Sequence, residues 1–302
     1  MPSAHPKSPQ PLKGVRILSL CLNLPGPAAL QRLRAIGASC VKFEPPAPAG
    51  AAASVTGDPM SIYSVEGYSA LQAGIRTRVV DLKTQTGQRT LHTTLAKTDV
   101  LMTSFRPSAL LKLGLGWNAL HKQYPHLSWV GIVGAPGALA DAPGHDLTYV
   151  AEHDLVTGLD LPATLYADMG GSLMASEAVL KAVLLQRQQG KGSRFEVALS
   201  DAAAHLARPR QWGATVPGTV LGGAHAGYRV YPCKNGRVAL AALEQHFAKS
   251  LCARVGLTWT GASMMLKADT HEAIAQFVAG KTRSALDKLS VAHDIPLHTL
   301  SK

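Results

Sequence analysis

The stretch from Val15 to Glu44 limits the possible folds most. Val15-Arg16-Ile17-Leu18-Ser19-Leu20 is a short β-rich run suited to a buried strand, and Pro25-Gly26-Pro27 turns the chain into a helical segment from Ala28 to Ile36. Gly37 ends that segment, and Cys40-Val41-Lys42-Phe43-Glu44 reads as a second strand closed by Pro45-Pro46. Strand, helix, glycine, strand is the pattern of a βαβ unit, in which the helix carries the crossover that parallel pairing requires.

The alternation continues after an Ala/Pro/Gly-rich loop at 45–57. Strands are predicted at Thr77–Leu82, Asp99–Thr103, Leu127–Val133 and Arg194–Leu199, with helices at 84–97, 107–122 and 172–189. The expected fold is therefore α/β, with a large doubly wound (Rossmann-like) domain on a mostly parallel sheet over 12–205, after a disordered lead at 1–11. A Gly/Pro-rich linker is expected at 206–227. Beyond it, Tyr228–Cys233 and Arg237–Ala242 flank Lys234-Asn235-Gly236, a strong hairpin signal. Helices at 244–255 and 271–290 complete a smaller α+β domain over 228–302.

The residues best suited to chemistry lie between Pro143 and Gly190. Gly144-His145-Asp146 places an imidazole beside a carboxylate in a turn, and Asp168 precedes Met169-Gly170-Gly171-Ser172 at the expected start of the 172–189 helix. Free N–H groups and the positive dipole end at a helix start favour an ionised carboxylate and can receive an oxyanion. Taken alone, His145 reads equally as a loop hydrogen-bonder, Asp168 as an N-cap and Glu244 as a helix N-terminal charge. His153, Asp146 and Asp154 read as satisfied loop residues. No G-x-S-x-G elbow, Walker A loop, H-E-x-x-H or G-x-G-x-x-G is present.

With 30 Lys and Arg against 19 Asp and Glu, the chain carries a formal charge of +11. The basic residues are dispersed and only 5% of residues are aromatic, so a nucleic-acid partner is not expected. An anionic cofactor or a merely solubilising basic surface fits better. No apolar run of about 18 residues is present, so no membrane span is expected. The polar, Pro-rich start lacks a secretory h-region, and Thr299-Leu300-Ser301-Lys302 stops short of a peroxisomal S-K-L tail. Cys21, Cys40, Cys233 and Cys252 show no metal spacing, which predicts reduced structural thiols in a cytoplasmic protein with no metal.

An ordered series of short motifs resembles the class III CoA-transferase family, also called CaiB/BaiF, which includes the α-methylacyl-CoA racemases. It runs from Leu12-Lys13-Gly14-Val15-Arg16-Ile17-Leu18 and Pro25-Gly26-Pro27 through Gly37-Ala38, Val41-Lys42-Phe43-Glu44-Pro45-Pro46 and Asp81-Leu82-Lys83. Phe105-Arg106-Pro107 with Leu113-Gly114-Leu115-Gly116 follows, then Pro143-Gly144-His145-Asp146 and Asp168-Met169-Gly170-Gly171. Gly190-Lys191-Gly192, Gly222-Gly223 and Tyr228-Arg229-Val230-Tyr231 close the series.

The resemblance implies an acyl-CoA substrate, no cofactor beyond its CoA moiety, and a homodimer of interlocked rings. It implies two chemistries. Transferase members use the carboxylate at the Asp168 position as a nucleophile and pass through an aspartyl-CoA thioester. Racemase members use it as one acid/base and the G-H-D histidine, here His145, as the other, oriented by a glutamate that matches Glu244. The presence of His145 favours racemisation of a 2-methylacyl-CoA, and CoA transfer between carboxylic acids is the alternative. Epimerising a carbon beside a thioester needs two groups on opposite faces that exchange protons near neutral pH. Backbone N–H groups at Gly170 and Gly171 are expected to stabilise the enolate, and the two glycines to let the ligand approach closely. Arg76, Arg78, Lys83 and Arg106 match the family's CoA-binding positions, although Lys83 also reads as a solvated helix-start charge. Relatives continue beyond Ile295-Pro296-Leu297 with a segment that returns to the large domain. That difference implies a third possibility, a non-catalytic acyl-CoA-binding paralogue without ring closure.

Overall fold

The computed structural model describes residues 9–301. The lead predicted at 1–11 lies largely outside them, but Leu12 is buried in a turn that opens the first domain. Two compact units divide the chain, one ending at Ala207 and one beginning at Arg208.

The first unit holds six strands: β1 (Arg16–Ser19), β2 (Ser39–Glu44), β3 (Arg76–Val79), β4 (Val100–Thr103), β5 (Ser128–Val133) and β6 (Arg194–Ala198). They form one sheet in the order β3-β2-β1-β4-β5-β6, and every neighbouring pair is parallel. Its helices are α1 (Pro25–Ala35), α2 (Met60–Tyr63), α3 (Val65–Gln72), α4 (Gln85–Leu95), α5 (Pro107–Lys112), α6 (Trp117–Gln123), α7 (Asp146–Glu152) and α8 (Tyr166–Gln189). A further helix, α9 (Leu199–Gln211), follows β6.

Alternation along the strands builds two apolar layers, because successive side chains point to opposite faces. Ile17, Val100, Met102, Val130 and Ile132 pack with Leu30 and Leu33 of α1 and Val179 and Val183 of α8. Leu18, Leu101 and Trp129 pack on the other side with Leu91 and Leu95 of α4, Leu110 of α5 and Leu120 of α6. This is the α/β doubly wound sheet expected from the alternation. Its strand order reverses between β1 and β4, and the crevice beyond their carboxyl ends is where such sheets bind ligands.

Several boundaries differ from the sequence expectation. The single helix at 107–122 is two, because Gly114 adopts φ +73° and the chain turns to bury Leu115. Met60–Gln72, given no element in the sequence reading, forms α2 and α3, with the Ser64 hydroxyl accepting from the Gly67 N–H at 2.9 Å. The turn around His145 continues into α7, a helix of seven residues that is too short for a clear apolar period. Helix α8 starts at Tyr166, six residues earlier than predicted.

The second unit has an antiparallel sheet of β7 (Tyr228–Cys233), β8 (Gly236–Ala241) and β9 (Leu297–Leu300) in that order. The hairpin forms one residue earlier than read: Cys233 pairs with Gly236, so the turn is Lys234-Asn235. Asn235 Oδ1 accepts from the Arg283 N–H at 2.8 Å, which gives the asparagine a tertiary role in place of the Asn-Gly turn. Tyr231, Val238 and Leu240 pack on α10 (Gln245–Val255), α11 (Ala268–Ala279) and α12 (Arg283–His293). The helix predicted at 271–290 is thus two, separated at Gly280, with Thr282 capping the second. The final strand, β9, was not read from the sequence.

Candidate active site

The loops that leave the carboxyl ends of β1, β4, β5 and β6 surround a cavity of about 820 Å³. β1 contributes Asn23, β4 contributes Ser104 and Arg106, β5 contributes Gly134, and β6 is followed by Leu199. The β1 and β4 loops are tied together where the Leu22 N–H donates to Ser104 Oγ at 3.1 Å. His145 and Asp168, separated by 23 positions, both line this cavity.

Each of these side chains is held by a local device. His145 is the N-cap residue of α7 in extended backbone. Its N–H donates to Thr148 Oγ1 at 3.1 Å, and the Thr148 hydroxyl donates back to the His145 carbonyl at 2.7 Å. Asp146, at the first helical position and 5% exposed, accepts the Asp168 N–H on Oδ1 at 2.9 Å. Tyr149, Val150, Ala167 and Ala203 form a small core beneath, joining α7, α8 and α9. Arg106 precedes Pro107, which holds it extended and starts α5 at its first position.

Asp168 lies in the first turn of α8, not ahead of it. Burial pushes its carboxyl up to about 6, and the nearby charge of Asp146 adds to the rise. The oxyanion role expected of Gly170 is not available, because the Met169 N–H already bonds the Leu165 carbonyl and Gly170 follows inside the helical ladder. Nor do Gly170 and Gly171 open space for a ligand. A Cβ at Gly171 would strike Leu199, and one at Gly170 would press on Ala202 and Leu206. The glycine pair lets α9 approach α8.

The cavity wall on the β1 side rests on a buried ionic cluster. Lys42, fully buried on β2, pairs with Glu44 at 2.8 Å and with Asp58. Tyr68 donates to Glu44 at 3.1 Å. Asp58 Oδ1 accepts the N–H groups of Asn23 at 2.9 Å and Met60 at 3.0 Å, both in the wall. Asn23 is thereby held at φ +62°, a left-handed conformation that Asn tolerates better than most residues. Cys21, buried below it, has its thiol pushed up to about 12 by burial, so it is no nucleophile.

Three of the expected cations, Arg76, Arg78 and Lys83, do not line this cavity. Arg76 and Arg78 are exposed on the edge strand β3, with the Arg78 guanidinium 5.4 Å from the Phe43 ring centre. Lys83 is exposed in the turn before α4. Glu244 is the N-cap residue of α10 in the second unit. Sequence reasoning left Asp146 as a loop residue and passed over Tyr149 and Asn23.

Among the described residues, no cluster of three or more His, Cys, Asp or Glu side chains is placed to hold a metal ion. No helix among them is long and apolar enough to cross a membrane.

The sequence profile of CoA-transferase family III matches residues 12–302. The chain belongs to CoA-transferase family III. A relative named probable fatty acyl-CoA transferase, from Mycobacterium tuberculosis, is 31% identical over 68% of this chain and 54% of its own length. Human alpha-methylacyl-CoA racemase is 27% identical over 82% of this chain and 65% of its own. The chain thus spans between about half and two thirds of the length of these two relatives. A crystal structure of the mycobacterial protein superposes with a TM-score of 0.79 at 22% identity, covering 97% of this chain and 84% of that one. The family III fold is therefore shared along nearly the whole chain.

Proposed function

We propose that this chain is an acyl-CoA enzyme that racemises the α-carbon of a 2-methylacyl-CoA by two-base proton transfer. The observation that carries this reading is that an imidazole and a carboxylate, His145 and Asp168, line one cavity at the switch point of the sheet. With its carboxyl near 6, Asp168 is largely ionised at pH 7 yet holds a proton readily, as a group that alternates between base and acid must. One residue removes the α-proton and the other returns a proton to the opposite face. Glu244 is assigned the orienting role, and Arg106, with Arg76, Arg78 and Lys83, the anionic part of CoA. A homodimer belongs to the same reading, and sedimentation velocity of the unmutated chain measures it.

The test is NMR of a 2-methylacyl-CoA incubated with the protein in heavy water. Loss of the α-proton signal, abolished by His145→Ala, is the expected result. An intact α-proton signal with the unmutated protein removes the racemase reading for that substrate.

CoA transfer is the second reading, favoured by the name of the 31%-identical relative. Asp168 then attacks as a nucleophile and His145 is structural. His145→Ala would spare transfer, and mass spectrometry would find CoA on Asp168. Binding of acyl-CoA without either reaction marks a non-catalytic paralogue.

A further inference from the structure

Both chemistries place negative charge on the thioester oxygen, and with Gly170 inside the helical ladder another donor must meet it. We propose that Tyr149 is a further catalytic residue, whose hydroxyl, seated on the cavity wall between Gly134 and Gly144, donates a hydrogen bond to the thioester carbonyl oxygen. This deepens the reading above and rests on only one part of it, that an acyl-CoA thioester enters this cavity.

Three observations carry the assignment. Tyr149, Gly134 and Gly144 all line the cavity with Asp168 and His145. The phenol oxygen fills the space over both glycines, so that a Cβ on either would collide with it. Two strand and loop backbones therefore fix where the hydroxyl sits. Finally, Tyr149 is only 7% exposed, and its ring belongs to the small core under α7 and α8 that also holds Ala167, next to Asp168. A preoriented donor in such a dry place gains most as charge develops. Arg106 also lines the cavity but is exposed, and a guanidinium suits the phosphates of CoA.

The ionisation of Tyr149 is consistent with a donor. Burial raises it above the ordinary phenol range and the charge of Asp168 adds to the rise, while Arg106 opposes it. The hydroxyl therefore keeps its proton at neutral pH.

In the racemase, the α-proton passes to the base on its face. The C–H pair becomes the new Cα=C bond, and the carbonyl π pair moves to oxygen, where Tyr149 shares its proton without giving it up. In the transferase, carboxylate attack at the same carbonyl puts the π pair on the same oxygen.

The test is difference infrared spectroscopy of a 2-methylacyl-CoA, carbon-13-labelled at the thioester carbonyl, bound to the full chain. The expected result is a lower C=O stretching frequency in the unmutated protein than in Tyr149→Phe. Where exchange is measurable, Tyr149→Phe should lower its kcat about a hundredfold, the typical effect of losing one such donor, with little change in KM. Tyr149→3-fluorotyrosine keeps the ring and provides a stronger donor, so it should lower the frequency further. Equal frequencies in the unmutated protein and Tyr149→Phe overturn the proposal. Should Tyr149→Phe not fold, an unchanged frequency in the fluorinated variant does the same. Because the spectrum reads a contact and needs no turnover, absent proton exchange counts against the racemase reading alone. Failure to bind the acyl-CoA at all overturns both.

Discussion

The Asp168 N–H donates to Asp146 Oδ1 at 2.9 Å, across 22 positions of the chain. One carboxylate thereby satisfies an otherwise open donor at the start of α8 and holds its negative charge close to the carboxylate that follows. Burial is the larger cause of the rise in Asp168, and the charge of Asp146 adds to it. The residue that builds the helix start thus also helps raise the Asp168 carboxyl.

Removing the charge of Asp146 while keeping its acceptor should separate these roles. Asp146→Asn can still accept the Asp168 N–H, so the fold should persist. On the racemase reading, the acid limb of the pH–rate profile follows Asp168 losing its proton near pH 6, and it should move to lower pH without reaching the ordinary carboxylate value, because burial remains. A profile of exchange rate between pH 4 and 9 measures this. An unmoved limb would show that Asp146 acts on Asp168 only through the hydrogen bond.

A raised carboxyl also has a cost in stability. The folded state holds a proton on Asp168 up to about pH 6, whereas the unfolded chain releases it near pH 4. Stability is therefore lost as pH rises between those values, and the loss is complete above the folded value. Asp168→Asn removes this dependence. It should be more stable than the unmutated protein by roughly 2–3 kcal/mol at pH 8, with the difference shrinking toward zero at pH 4. Urea denaturation at the two pH values checks it.

Lys42 is the cation between Glu44 and Asp58 and is fully buried. Lys42→Met should destabilise the protein by about 3–5 kcal/mol, because two buried carboxylates lose their partner. Adding Asp58→Asn and Glu44→Gln should restore part of the loss. A single substitution costing under about 1 kcal/mol would contradict the cluster as described.

The cationic residues can be sorted by the phosphate they meet. A charge-assisted contact contributes roughly 1.5–3 kcal/mol, so losing one should weaken binding about tenfold or more. If Arg76 and Arg78 hold the 3′-phosphate of CoA, changing both to Gln should abolish the preference for CoA over dephospho-CoA. Arg106→Gln, at the cavity, should weaken both ligands alike. Calorimetric titration of the two ligands decides it, and a preference retained in the double variant rules out the edge strand as the 3′-phosphate site.

The alternation of apolar strands with glycine-ended helices was legible because it is a local pattern. A buried parallel sheet demands short β-rich runs and covering helices whatever their order. His145, Asp168 and Arg106 were legible as motifs: Gly144 adjoins His145, Pro107 adjoins Arg106, and Gly170-Gly171 follows Asp168 by two positions. Breaks within apparent helices were less so, since Leu113-Gly114-Leu115 keeps its apolar character through a turn and only burial of Leu115 fixes the kink.

What the sequence determined by itself was the chemistry available: the carboxylate, the imidazole, the cations and the strands that must carry them. Only the tertiary structure decided how these are used. Gly170 and Gly171 became a helix contact because Leu199, Ala202 and Leu206 of α9 occupy the space beside them. Asp146 became a cap because α7 and α8 meet at their first turns. Tyr149 gained a place in the cavity wall because β5 and the loop before α7 bring Gly134 and Gly144 against its hydroxyl. Each of these depends on which distant backbones approach, and local periodicity does not encode such long-range contacts.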